Sequence, residues 1–157
     1  MLRFAVVAFL DEVALDAELS PDALPLHVGL FGAASSEADP DQIIAAVEAA
    51  YASYGPFQAR GGDDEAIGAQ QAEVTLLDEA DELVEAHLTL VTLLRELGVR
   101  VDDPSVVAGR YRPHVPISDD ERIDRGERLE LRAIAVLDLA PDGDGDRVMV
   151  LDQFPLI

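Results

Sequence analysis

Arg110-Tyr-Arg-Pro-His-Val-Pro-Ile-Ser118 is the stretch on which the reading of this chain turns. Taken as an extended strand, its side chains alternate between two faces. Tyr111, Val115 and Ile117 then form an apolar face suited to a core. Arg110, Arg112, His114, Pro116 and Ser118 form the opposite face. Two guanidiniums and an imidazole in one row point beyond scaffolding in so acidic a chain. An earlier stretch, Leu24-Pro-Leu-His-Val-Gly-Leu-Phe31, repeats the arrangement. There Leu26, Val28 and Leu30 are expected inside, with His27, Gly29 and Phe31 outside.

The net charge is −21, and all 11 basic residues are arginine. The charge is uneven: residues 1–99 carry 19 acids against three Arg, whereas residues 100–132 carry seven Arg against eight acids. The nearly neutral segment therefore surrounds His114. Repulsion from the remainder opposes binding of duplex DNA or long RNA, while a small phosphate ester at the Arg-rich strand stays compatible with the field. With 157 residues, the chain has the length of one domain with a sizeable core, packed mainly by aliphatic side chains because aromatics make up only 5%. The absence of Cys excludes disulfides, thiolate metal sites and a cysteine nucleophile. The longest apolar run, Phe4–Leu10, is far short of the roughly 20 residues of a membrane span, and no signal-peptide pattern surrounds it. A soluble, cytoplasmic protein without a membrane partner is expected.

Periodicity orders the rest. Leu2–Leu10 reads as a buried strand, Asp11–Leu19 as a short helix-compatible segment, and Leu26–Phe31 as the first histidine strand, closed at Gly32. Asp39-Pro-Asp-Gln42 is a helix start with a capping-box spacing and Pro at the first helical position. Ile43, Val47, Ala50, Tyr51 and Tyr54 then make one apolar stripe. Phe57–Arg60 and Ala66–Ala69 are expected as short strands around a Gly61-Gly-Asp-Asp64 hairpin turn. Glu73–Leu77 is a further strand, Asp78–Leu97 a long helix, and Leu129–Leu139 and Arg147–Phe154 two closing strands. This order predicts an α+β fold with two loosely similar halves.

Several site types fall away. With no Lys there is no phosphate-binding loop of the Lys-Ser/Thr kind. Asp142-Gly-Asp-Gly-Asp146 lacks the following Glu and flanking helices of a calcium loop, and reads as a solvated turn. The acids at 78–85 suit a helix N-terminus. Among the three histidines, His87 shares the apolar helix face of Leu83 and Leu90 and reads as packed. His27 and His114 each occupy the polar face of a core strand. An imidazole titrates near 6.5, so such a pair can accept one proton and donate another near neutrality. Phosphodiester cleavage needs both acts, and donors for the phosphoryl oxygens besides.

Leu26-His-Val-Gly-Leu30 and Tyr111-Arg-Pro-His-Val-Pro-Ile117 resemble the paired His-x-Thr/Ser strands of the two-histidine (2H) phosphoesterase superfamily, which includes the 2′-5′ RNA ligase-like proteins and cyclic phosphodiesterases. The resemblance runs on through the helix at 83–97, with His87, to the closing Phe154-Pro-Leu156. It implies one domain over residues 1–157, with two antiparallel β-lobes around a central groove, helices outside, and His27 facing His114. It further implies a cofactor-free, metal-independent hydrolase of small 2′,3′-cyclic or 2′,5′-linked nucleotides. The chain departs from the pattern where Thr or Ser would hold the phosphate: those positions are Gly29 and Pro116. Arg110, Arg112, Ser118 and the Gly29 backbone are the candidates to bind substrate instead. The alternative is a degenerate domain that binds a nucleotide without turnover or joins a protein assembly, such as a phage particle.

Overall fold

The computed structural model describes all residues, Met1–Ile157. Two antiparallel sheets are built from ten strands. The larger holds β1 (Leu2–Phe9), β2 (Glu18–Leu19), β3 (His27–Ser36), β6 (Arg100–Val101), β9 (Ala133–Asp138) and β10 (Val148–Pro155), in the order β2-β10-β9-β1-β3-β6. The smaller holds β4 (Phe57–Ile67), β5 (Ala72–Asp78), β7 (His114–Pro116) and β8 (Arg128–Leu131), in the order β7-β5-β4-β8. Two helices, α1 (Pro40–Tyr51) and α2 (Asp81–Glu96), complete the α+β architecture. Neither helix is long and apolar enough to cross a membrane.

The start of α1 follows its sequence. Asp39 accepts from the Asp41 N–H at 2.9 Å, and Gln42 returns a bond to the Asp39 N–H. Ile43, Val47, Ala50 and Tyr51 are buried on the predicted stripe. With Leu83, Ala86, Leu90 and Leu94 of α2, they meet Phe4, Val6, Val28 and Leu30 of the large sheet and Phe57, Val115 and Leu131 of the small one in a single core. A second cluster, including Val7, Phe9, Leu137 and Val150, lies on the other face of the large sheet.

Four sequence expectations are corrected. Residues 11–19 form no helix; Val13, Ala17 and Leu19 lie over the second cluster, and the segment is tied down by Val150 N–H to Ala17 O and Asp16 N–H to Val150 O. The first histidine strand does not stop at Gly32 but runs to Ser36. Register breaks between β1 and β3 upset its alternation, so Phe31 is buried and stacks on Phe4 at 6.1 Å. Gly61–Asp64 is a bulge inside one long strand, not a turn; the reversal comes at Gly68–Gln71. Finally, Leu129–Leu139 is not one strand but two, β8 in the small sheet and β9 in the large one, divided at Arg132.

Candidate functional site

The second histidine stretch is less regular than its alternation suggests. Ala108–Arg110 is a 3-10 turn, and the strand proper is His114–Pro116, paired with β5 at Leu76. Tyr111 and Val115 are buried as expected, while Ile117 is only half-buried. β7 lies against β3, so the edge of the small sheet meets the large sheet.

That contact brings the two histidine motifs together. A Cβ placed on Gly29 would stand 3.5 Å from His114 Nε2. Gly29 is two residues beyond His27 on the same strand, so the His114 ring lies over the His27 face of β3. The two rings are also held alike. His27 Nδ1–H donates to Pro25 O at 2.8 Å, and His114 Nδ1–H donates to Arg112 O at 2.7 Å. A carbonyl oxygen can only accept, so each neutral ring carries its proton on Nδ1 and leaves a lone pair on Nε2. Burial pushes both imidazoles below their ordinary value of 6.5, against the opposing pull of the carbonyls. The charge of His27 lowers His114 further.

A buried clasp supports this junction. Tyr111 O–H donates to Gly29 O at 2.7 Å, joining the turn before β7 to β3. His87 stacks on the Tyr111 ring at 3.9 Å, donates from Nδ1 to Leu30 O, and accepts at Nε2 from the Ala108 N–H. His87 is thus a satisfied core residue that fixes both partners of the clasp. Sequence periodicity placed Tyr111 in the core but said nothing of its hydroxyl. The signal was available, since a buried tyrosine needs a partner for its O–H.

Beside His114 lies a cleft of about 450 Å³, which His27 itself does not line. Gly29, His114 and Pro116 line it near the junction, Tyr111 and Val74 wall it, and Asp102 and Asp103 stand at its margin. Both acids are engaged, Asp102 with Arg3 in a two-pronged pair and Asp103 with the Ala69 and Ser105 amides. The other sequence-predicted residues are placed differently. Ser118 bonds Glu121 N and O and closes a loop. Arg112 pairs with Glu65 at 2.6 Å and, with Arg110, lines a neighbouring hollow that neither histidine enters. No group of three His, Cys, Asp or Glu side chains is arranged to hold a metal ion.

No protein-family model and no curated protein sequence matches the chain. Solved structures do match. TT0787 of Thermus thermophilus superposes with a TM-score of 0.61 at 18% identity, covering 99% of this chain and 98% of that one. E. coli LigT complexed with 3′-AMP gives 0.63 at 13% identity, with 99% and 98% covered. A structure described as a phosphoesterase gives 0.59 at 14% identity, again over 99% and 98%. The chain has the bilobal LigT-like fold. At these identities the likeness speaks for the fold alone.

Proposed function

We propose that this chain is a two-histidine phosphoesterase that cleaves a small 2′,3′-cyclic or 2′,5′-linked nucleotide, with His27 and His114 as its acid–base pair. The observation that carries this reading is the meeting of two imidazoles from separate sheets, each tied through Nδ1 and open at Nε2. In the singly protonated pair, the neutral ring takes a proton from the attacking water through Nε2. The other ring gives its Nε2 proton to the departing ribose oxygen as the P–O bond breaks. The two rings supply both transfers, so the mechanism calls on no metal. Gly29 and Pro116 bring no hydroxyl to the phosphate, and its donors in this reading are backbone N–H groups of the junction and the protonated imidazole. E. coli LigT has been crystallised with 3′-AMP, NADP+ and ATP, which supports a small phosphate-bearing ligand for this fold. A cytoplasmic setting, with no duplex DNA as partner, belongs to the same reading.

Hydrolysis of a 2′,3′-cyclic nucleotide by the wild type, His27→Ala and His114→Ala tests it. Each single variant is expected to lose about 10²–10⁴-fold in turnover. Undiminished hydrolysis by the double variant would falsify the assignment. Gly29 and Pro116 favour a second reading, a module that holds a nucleotide without turning it over, in contact with a protein assembly partner. Calorimetry with product analysis separates the two, since the second reading expects heat of binding without product.

A further inference from the structure

The hollow that holds Arg110 and Arg112 measures about 300 Å³ and is also lined by Gln71 and Ser105. It shares Ile67, Gly68 and Val106 with the His114 cleft, so the two abut along a common wall. Both are in the size range of small-ligand sites. The surrounding charge is largely matched. The consecutive acids Asp63, Asp64 and Glu65 of β4 pair with Arg125, Arg122 and Arg112 at 3.0, 2.7 and 2.6 Å. Arg110 is exposed and takes part in none of the chain's ion pairs. In a chain of net charge −21, this hollow keeps an uncommitted cation beside a cleft that has none.

A guanidinium offers five N–H donors in a fork that fits phosphate oxygens. Arg112 spends one nitrogen, Nη1, on Glu65 and keeps others for a ligand. We propose that the Arg110–Arg112 hollow is a second anion subsite, which takes a phosphate additional to the one between the imidazoles. This rests on the phosphoesterase reading and narrows it. The favoured ligand carries two phosphates, as in a dinucleotide or a nucleoside bisphosphate. A lone mononucleoside cyclic phosphate leaves the arginines empty.

Calorimetry at low salt with adenosine 3′-monophosphate and adenosine 3′,5′-bisphosphate provides the test. The bisphosphate is expected to bind at least about tenfold tighter to the wild type. Arg110→Gln should remove most of that gain and leave the monophosphate affinity unchanged. His114→Ala should weaken both ligands. Equal affinities in the wild type, or an equal loss for both ligands in Arg110→Gln, overturns the subsite while leaving the phosphoesterase reading in place. If neither nucleotide binds at millimolar concentration, that reading falls and the subsite falls with it. Because Arg110 is exposed and unpaired, an unchanged thermal midpoint verifies that the variant is folded.

Discussion

His27 and His114 were legible as a pair because each occupies the polar face of a strand otherwise built for the core. Their chemistry is set by atoms the sequence leaves unspecified, the carbonyls of Pro25 and Arg112 that fix each tautomer. Both rings lie below 6.5 through burial, so activity measured as kcat/KM against pH should be bell-shaped with its maximum on the acid side of 6.5. Removing the His27 charge relieves His114 of a repulsion, and His27→Gln should raise the His114 pKa in an NMR titration. The clasp gives a separate expectation. Tyr111→Phe leaves the Gly29 carbonyl without its buried donor, at a cost of about 1–3 kcal/mol in denaturant unfolding, and should also lower turnover. The sequence reading set Arg110 and Arg112 on one strand face with His114. Alternation holds only along a regular strand, and the backbone at Ala108–Arg110 is a turn entered through a positive φ of 59° at Ala108.

At the level of elements, the two helices were visible in advance, with the Asp39 cap marking the start of α1, while the helix expected over 78–97 begins only at Asp81 because Asp78 still belongs to β5. Strand ends were not legible. Gly61-Gly62-Asp63-Asp64 has the composition of a hairpin turn, yet tertiary contacts hold it as a bulge. Gly61 exchanges backbone bonds with Glu127 O at 2.8 Å and Gly126 N at 2.7 Å. A Cβ there would come within 2.3 Å of Asp124 O, a backbone atom that can yield only by shifting its loop. Gly61→Ala is therefore expected to cost about 1–3 kcal/mol, read as a lowered midpoint in urea. The stretch 129–139 presents the same lesson in reverse. Its pattern is continuous because both sheets demand buried side chains, so nothing in it announces the change of sheet at Arg132.

Across the whole molecule, the α+β class and its two halves were legible from element order, while the seam between the halves was not. It depends on long-range contacts between β3 and β7 and on the crossing at Arg132. The charge imbalance was plain in the sequence, but its local resolution was hidden: three arginines of the 110–125 segment are drawn onto the acids of β4. Exposed pairs of this kind contribute little each, whereas the net −21 repels itself throughout. Added sodium chloride should therefore raise the melting temperature, with most of the gain reached by about 0.15 M, where the Debye length is about 8 Å. A midpoint that fell with salt would mean that the ion pairs outweigh the repulsion.

Each imidazole takes its orientation from a carbonyl two residues upstream in its own segment, so the two halves of the reagent are prepared independently and only their meeting is a tertiary event. Loosening the seam should then slow the reaction while leaving each ring's tautomer intact. Damage of that sort would be repaired by bringing the halves closer, with no retuning of either one.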